Sequence, residues 1–291
     1  MTVVAAERDS RQALPFVLPA LLLLAAVILI PAIHVFWLSF QASSFGRAAS
    51  FVGAANYAKI LADPYFWRAF GNTVAVVLVV VHVELALGLA MALLFVTRLP
   101  MRKLMIAAVL APYAVSEVGA VVMWRTLFDP DAGLMTRLLE STGMPALEWA
   151  VRPGHGLTLV ALLSVWLHLP FTFVILYAAR LAIPVELFEA ARVDGANAWQ
   201  TFRRVTLPLL RPGLLAALLF AVIVSLNEFV VSLFISTRLT EILPVAMFTY
   251  VVNYTDPSIA ALSTLFIVAT FGVVWLADRF LDLGGVFLHH R

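Results

Sequence analysis

Polar side chains interrupt several long apolar stretches of this sequence, and their types limit the chemistry they could do. A charged group near the middle of a bilayer costs about 2.5–3.5 kcal/mol on insertion scales, so it usually faces the interior of a helix bundle. Carboxylates there can accept hydrogen bonds from solute hydroxyls or pair with an amine, and indole rings can stack on a sugar ring or a cation. The residues of these types that we expect to contact a bound molecule are Glu84, Glu117, Trp124, His168, Asn227 and Glu228. The same groups could instead bond between helices or line an interface with a second membrane subunit.

The composition places these residues in a membrane protein. Of the 291 residues, 63% are hydrophobic and 12% are charged, and the mean hydropathy is +1.00. Soluble domains average about 45–50% apolar and about 25% charged residues, so an ordinary soluble enzyme and a disordered chain are excluded. A bilayer core about 30 Å thick needs roughly 20 apolar residues, and lipid cannot satisfy exposed backbone groups. The sequence predicts an all-α polytopic membrane protein, a single domain over 1–291, with six transmembrane helices near 14–40, 69–97, 104–124, 157–179, 214–237 and 258–277.

Motifs of soluble catalysis are missing from the sequence. Neither Lys59 nor Lys103 stands in the Gly-Lys-Ser/Thr context of a phosphate-binding loop, so the chain is not expected to hydrolyse ATP. No histidine precedes a glutamate, and no serine lies between glycines at nucleophile-elbow spacing. The chain has no cysteine, and the adjacent His289 and His290 are interpreted as a frayed tail. We expect no catalytic residue, no metal site and no cofactor in this chain.

The basic residues predict an orientation in the membrane. With the N-terminus inside, the cytoplasmic segments carry twelve lysines and arginines and the outer segments carry seven. The positive-inside rule therefore places both termini and the segment 180–213 in the cytoplasm. The two outer loops, 41–68 and 125–156, contain turn signals and apolar residues, so each is expected to form a short interfacial helix. No basic stripe indicates a nucleic-acid partner.

The cytoplasmic segment 184–212 carries start and stop signals of a helix. Pro184 suits the first turn, and Glu186 and Glu189 favour the positive N-terminal end of a helix dipole. Gly195 can adopt the left-handed conformation that ends a helix. So short a helix has too little core of its own to be stable, which favours docking on another protein over a simple surface connector.

A second helix is expected directly after this glycine. Asn197 is a predicted N-cap, because Gln200 follows three residues later. Arg203 and Arg204 suit the last turn of a helix that ends before Pro208.

The same segment carries a pattern with a known counterpart. Glu189-Ala190-Ala191, three residues, Gly195, nine residues and Val205-Thr206-Leu207-Pro208 resemble the EAA loop of bacterial ABC importer permeases, EAA-x3-G-x9-I-x-L-P. Val205 replaces the isoleucine. The resemblance implies the six-helix type I permease fold, in which this loop is a coupling helix seated in a cleft of a cytoplasmic ATPase. The residues that it assigns to coupling are Glu189, Ala190, Ala191, Arg192, Asp194, Gly195, Leu207 and Pro208.

The resemblance also implies partners and a mechanism. Two copies of an ABC ATPase would close on ATP and Mg, the coupling loop would move as a rigid element, and the helices would switch from inward-open to outward-open. A second permease chain, expected to differ from this one, and an extracytoplasmic solute-binding protein complete the set. The location is then a bacterial or archaeal plasma membrane.

Two parts of the chain resemble different branches of this family. The segments at 14–19, 51–57, 70–73 and 124–128 are similar to those of carbohydrate permeases. The C-terminal third lacks their Gly-Gly-Pro after span five, and its segments at 227–229, 243–245 and 256–260 look more like polyamine permeases. A sugar is the favoured solute and a polyamine or related small solute the alternative. A secondary transporter driven by an ion gradient is the rival from another class, with Glu84 or Glu117 as a proton site.

Overall fold

Helices make up nearly all regular structure in the residues that this computed structural model describes, 2–42, 50–254 and 256–281. Two short strands, β1 (Gln41–Ala42) and β2 (Ser50–Phe51), pair antiparallel. The helices are α1 Thr2–Leu38, α2 Ala55–Leu61, α3 Pro64–Phe95, α4 Arg102–Leu110, α5 Glu117–Leu127, α6 Leu134–Ser141, α7 Pro153–Leu181, α8 Glu186–Val193, α9 Ala198–Thr201, α10 Leu207–Leu226, α11 Val230–Ile235, α12 Leu243–Asn253 and α13 Ser258–Leu281. The short helices expected in the two outer loops are present as α2 and α6. His289 and His290 lie outside the described residues.

Within the described ranges, five helices are long and apolar enough to cross a bilayer. They are Pro15–Leu38, Pro64–Phe95, Pro153–Leu181, Ala198–Leu226 and Ser258–Leu276. A sixth crossing requires α4, the 3₁₀ turn Ala111–Ala114 and α5 to count together as one span. The all-α, polytopic class predicted from the sequence is confirmed.

The third span is not the single helix expected over 104–124, because the chain bends by 102° between Ala114 and Glu117. Pro112 lies in a 3₁₀ turn rather than in a continuing α-helix. Ser116 then takes an extended conformation, and its hydroxyl accepts a long bond (3.5 Å) from the Gly119 amide, which caps α5. The helix therefore ends and restarts within the apolar segment.

The fifth span begins and ends earlier than the expected 214–237. The helix does not stop before Pro208 as predicted. It continues through a π-helical turn, Phe202–Thr206, and Pro208 lies in the first turn of α10. A proline ring clashes with the carbonyl four residues back, and the wider π turn relieves this clash without ending the helix. The span then ends at Leu226, eleven residues before the expected boundary.

The chain divides into two compact units, and the first comprises the described residues up to Asp63 together with Thr249–Val268. Asn56, buried in α2, donates hydrogen bonds to the carbonyls of Ser39 (2.8 Å) and Gln41 (2.9 Å). The Ser39 hydroxyl lies 2.6 Å from that of Tyr57. These bonds fix the end of α1 on α2. The prediction of one domain over 1–291 stays a prediction.

An ion pair between Lys59 on α2 and Asp256 ahead of α13 adds to this first unit. Ser258 donates to the Asp256 carboxylate from both its amide and its hydroxyl, at 2.9 Å each. Burial opposes ionisation of Asp256, but the bonds from Lys59 and Ser258 outweigh it and lower the pKa of Asp256 to about 2. The bond to Asp256 raises the pKa of Lys59 in turn, against the effect of burial.

The second unit, Pro64–Phe248 with the described residues after Val268, contains the main apolar core. Fully buried members of this core come from α3, α5, α7 and α11: Val80, Val121, Leu159, Leu163 and Val231. Two glycines let helices approach closely. A Cβ at Gly88 would lie 3.1 Å from Thr172 Cγ2, and one at Gly213 would overlap Ala179 Cβ. The α3, α7 and α10 backbones therefore pack tightly around the polar groups of α7.

Candidate coupling helix and solute pathway

The predicted coupling helix is α8, and a regular hydrogen-bonded turn ends it. Gly195 has φ +76°, in the left-handed region where glycine is favoured. The Ala196 amide donates to the Ala191 carbonyl (2.9 Å), and the Gly195 amide donates to the Arg192 carbonyl (3.0 Å). These two bonds are the pair that defines a Schellman motif. The predicted role of Gly195 as a helix terminator is confirmed.

The next helix begins with the predicted cap. The Gln200 amide donates to the Asn197 side-chain oxygen (2.8 Å), and the Asn197 amide donates to the Gln200 side-chain oxygen (2.9 Å). This reciprocal pair is a capping box. Three residues, Asp194 to Ala196, thus separate the end of one helix from the cap of the next, so the turn has little freedom.

Inward contacts of α8 are few. Ala191 is 9% exposed, and the Arg180 guanidinium at the end of α7 lies 4.0 Å from the Phe188 ring centre. That contact is a cation–π interaction, which ties α8 to the helix that precedes it. α8 also contacts the π turn, Phe202–Thr206.

Most of the α8 surface faces outward. Val193 is 87% exposed and Leu187 is exposed as well, and Trp199 on the following α9 is also exposed. The predicted coupling residues divide by position, with Ala191 buried, Leu207 half-buried, and an exposed group consisting of Glu189, Ala190, Arg192, Asp194, Gly195 and Pro208. The free surface of α8 therefore carries both acidic and apolar side chains.

Three of the six predicted pathway residues meet in the core of the second unit. His168 on α7 lies between two carboxyl groups, with Nδ1 4.0 Å from Glu84 Oε1 on α3 and Nε2 4.0 Å from Glu228 Oε2 after α10. The side chains of Glu84 and Glu228 are 1% and 5% exposed, and that of His168 is 14% exposed. Buried and close together, these groups link three segments of the chain.

Two hydroxyl groups on α7 complete this cluster. Thr172 donates to Glu84 Oε2 (3.1 Å), and Ser164 makes a longer bond to Glu228 Oε2 (3.4 Å). Neither residue is among the six predicted pathway residues. The signal was present, because positions 164, 168 and 172 are four residues apart and so share one face of a helix.

Glu228 also shapes the break after the fifth span. Its Oε1 accepts a hydrogen bond from the Val231 amide (3.0 Å) at the start of α11. The neighbouring Asn227 is exposed, and its side chain donates to the Ile223 carbonyl (2.8 Å) of its own helix. The two adjacent residues therefore point into different surroundings.

Glu117 and Trp124 lie on α5, outside the buried cluster. Glu117 is exposed in the first turn of the helix, at the 102° bend. Trp124 is half-buried, with its ring centre 5.3 Å from that of Phe128 and 5.7 Å from that of Trp166. The structure thus separates the exposed Glu117, Asn227 and half-buried Trp124 from the buried Glu84, His168 and Glu228.

Comparisons with known proteins give the family. The family described as "Binding-protein-dependent transport system inner membrane component" matches residues 12–282. The trehalose transport system permease protein SugA of Mycobacterium tuberculosis is 36% identical over 214 residues, which are 73% of this chain and 68% of that protein. The trehalose/maltose transport system permease protein MalF of Thermococcus litoralis is 33% identical over 223 residues, 76% of each protein.

A solved structure shares the fold. It is a bacterial alginate ABC transporter in complex with an alginate pentasaccharide-bound periplasmic protein, and its matching chain gives a TM-score of 0.80 at 20% identity, covering 94% of each chain. The chain is a multi-pass membrane permease subunit, a transport component rather than an enzyme. It belongs to the family of binding-protein-dependent transport system inner membrane components, the permeases of ABC importers.

Proposed function

We propose that this permease carries a carbohydrate, delivered by an extracytoplasmic binding protein. The observation that carries the proposal is the 36% identity to a trehalose permease over 73% of the chain, together with the similarity to a trehalose/maltose permease. The structure with a similar fold, in which a pentasaccharide-bound periplasmic protein is present, supports the proposed mode of delivery.

The proposed solute pathway follows the accessible members of the predicted set. Glu117 and Asn227 are exposed at the two helix breaks, and Trp124 presents a half-buried indole between them in sequence. Hydrogen-bond acceptors beside an aromatic ring are the groups that bind sugar hydroxyls and sugar faces. The buried Glu84, His168 and Glu228 do not line the proposed pathway but support the segments that form it. Glu228 does so by accepting the hydrogen bond that fixes the start of α11.

The proposed energy source is a separate pair of ATPase subunits, which carry the ATP and Mg. They bind α8, and the contact uses Glu189, Ala190, Arg192 and Asp194 on its free surface, while Ala191, Gly195, Leu207 and Pro208 hold the segment in shape. The short turn between α8 and α9 supports this role, because a rigid element transmits displacement with little loss. This chain itself requires no cofactor in the proposal.

The proposed setting follows from the charge distribution. Twelve lysines and arginines lie on one side and seven on the other, which supports cytoplasmic termini and a cytoplasmic α8. The chain then pairs with a second, different permease in a bacterial or archaeal plasma membrane.

Uptake by the purified complex tests the solute. A tag on this chain recovers the complex from its native membrane, and the complex is reconstituted into liposomes with its binding protein and ATP inside. We expect uptake of labelled trehalose or maltose and none of putrescine. Uptake of putrescine alone would establish the polyamine alternative, and uptake driven by a proton gradient without ATP would establish a secondary transporter.

A variant at the break after α10 tests the pathway. Glu228→Gln should reduce uptake while solute-loaded binding protein still stimulates ATP hydrolysis. Glu241→Gln, at a carboxyl group beyond α11, is the control and should leave uptake unchanged. Unchanged uptake in Glu228→Gln would show that the Glu228 carboxylate is not needed to support the pathway.

A further inference from the structure

Two polar atoms in the buried cluster face each other without a hydrogen-bond partner. They are Glu84 Oε1 and His168 Nδ1, both inaccessible to solvent, and they lie 4.0 Å apart. Buried polar atoms are nearly always paired, because an unpaired one costs about 1–3 kcal/mol. The 4.0 Å gap exceeds a normal hydrogen bond by about 1 Å, which small rotations of the glutamate side chain can close. As an ionised carboxylate oxygen and an unprotonated ring nitrogen, both atoms are acceptors, and a proton between them would allow a hydrogen bond to form.

In the part of the chain that the structure describes, these carboxyl groups have no lysine or arginine partner. Within residues 2–42, 50–254 and 256–281, no lysine or arginine forms an ion pair with Glu84 or Glu228. Two ionised carboxylates beside a neutral imidazole would bury two negative charges, one in the middle of α3 and the other at the break after α10. The cost of burying unpaired charge is many kcal/mol, and the group is instead neutralised by a proton.

Other titratable groups on the surrounding helices do not change this balance. Glu117 on α5 adds a further negative charge that interacts with Glu228. On α4, Arg102 is bonded to Tyr177, which is nine residues, or about 13 Å, along α7 from His168. His82 on α3 is exposed and bonds to the Leu78 carbonyl of its own helix.

We propose that Glu84 is a buried proton-binding site, at the head of a hydrogen-bonded chain that crosses the second unit. In this proposal the protonated Oε1 of Glu84 donates to Nδ1 of His168, and Nε2–H of the same neutral ring donates to the Glu228 carboxylate, each bond forming when small side-chain rotations close a 4.0 Å gap. Every other bond in the cluster fits this assignment. Thr172 donates to Glu84 Oε2, Ser164 donates to Glu228 Oε2, and the Val231 amide donates to Glu228 Oε1.

The competing arrangement has the same number of protons in a different place. An imidazolium at His168 between two carboxylates would create three buried charges, whereas the proposed chain leaves one. That one charge resides on Glu228, which accepts bonds from both a backbone amide and a hydroxyl, while Glu84 accepts a single hydroxyl bond. The proposed arrangement buries fewer charges, and its one charge is on the carboxylate that accepts more hydrogen bonds. Both features favour placing the proton on Glu84.

Infrared spectroscopy of the full chain in lipid nanodiscs at neutral pH distinguishes the two arrangements. A protonated carboxyl group gives a C=O stretching band, separate from carboxylate bands, that shifts in D₂O. We expect this band in the unmodified protein, its loss in Glu84→Gln, and its retention in the control Glu117→Gln, whose carboxyl group is exposed at the helix bend. No transport is measured, so the result does not depend on the proposed solute.

Thermal unfolding of the same variants gives a second readout. Glutamine reproduces the size, the neutrality and the donor group of a protonated glutamate, so Glu84→Gln should fold and melt with the unmodified protein. The proposal is overturned by the absence of the band at neutral pH, by its survival in Glu84→Gln, or by a variant that melts much lower or fails to fold. The first and third results would indicate an ionised carboxylate at position 84, and the second would assign the protonated carboxyl group to another residue.

Discussion

Replacing Gly195 by alanine isolates the mechanical role of the turn after α8. The φ angle of +76° costs a residue with a Cβ about 1–2 kcal/mol. No atom lies within 4 Å of the position that this Cβ would take, so the backbone conformation accounts for the whole penalty. The substitution therefore weakens the helix end without disturbing the packing.

The size of this penalty predicts where the effect is seen. A change of 1–2 kcal/mol raises the open population of a local element by roughly 5- to 30-fold. Only Ala191 of α8 is buried, so the helix can open locally while the spanning helices stay folded. The melting temperature of the protein should remain unchanged, and amide exchange in α8 should accelerate.

Gly143 offers a matched control at the other end of α7. It has φ +80°, no atom within 4 Å of a Cβ, and it follows α6, which is eight residues long like α8. Its turn has the same two bonds, from the Gly143 amide to the Glu140 carbonyl (3.0 Å) and from the Met144 amide to the Leu139 carbonyl (2.9 Å). Gly143→Ala should accelerate exchange in α6 by a similar factor.

The assay combines amide exchange with transport by the reconstituted complex. Gly195→Ala should lower the number of solute molecules imported per ATP hydrolysed, and Gly143→Ala should leave this ratio at the level of the unmodified protein. Faster exchange in α8 with an unchanged ratio would refute the coupling role of the helix. Unchanged exchange would refute the energetic reasoning about its end.

Three further outcomes are expected. Ala191→Leu enlarges a side chain that is 9% exposed, and it should uncouple ATP hydrolysis from uptake while the melting temperature changes little. If ATP hydrolysis and uptake stay tightly coupled in this variant, α8 tolerates displacement from the π turn. The lowered pKa of Asp256 stabilises the folded first unit above about pH 3.8, and this stabilisation is lost as the pH falls through about 2. Because Lys59 is 60% exposed, the stabilisation should amount to less than about 1 kcal/mol in thermal unfolding. An Asp256→Asn variant that loses as much stability in acid as the unmodified protein would contradict this prediction. Gly213→Ala should lower the free energy of unfolding by about 1–3 kcal/mol, because the added methyl group forces α10 away from α7. Adding Ala179→Gly should restore the lost stability in the double variant. An unchanged melting temperature in the single variant would contradict the close approach of the two helices.

Local sequence signals predicted the coupling segment well. Gly195, Asn197 and Gln200 act within four residues of their partners, so their conformations depend on the nearby chain rather than on the rest of the protein. The helix after them was predicted to end before Pro208 and does not, because a π turn accommodates the ring. Proline signals a disturbance of the helix, and the surrounding packing decides whether the helix ends.

Breaks inside apolar segments were the main features that hydropathy missed. A window of about 20 residues averages over Ser116 and Asn227, although each ends or caps a helix. The motif Ser116-Glu117, with a capping side chain before an acidic first turn, is a local signal of the restart of α5. Hydropathy reports whether a segment can lie in lipid but contains no information about its bends.

The buried cluster shows that sequence patterns do not predict contacts between residues far apart in the chain. Ser164, His168 and Thr172 could have been recognised as one polar face of α7 from their spacing. Their partners Glu84 and Glu228 are 84 and 60 residues from His168 in the sequence, and only the packing of α3 and α10 on α7 brings them together. Residue types identified the candidates, whereas tertiary structure divided them into buried and exposed groups.

Recovery of the intact complex tests the central claim most directly. The chain is extracted from its native membrane in mild detergent, purified by a tag, and its stoichiometric partners are identified by mass spectrometry. An importer permease should be recovered with two copies of an ABC ATPase per complex and a second permease chain, and a co-purified binding protein should hold a carbohydrate. A chain recovered alone that still catalyses uptake driven by an ion gradient would contradict the account.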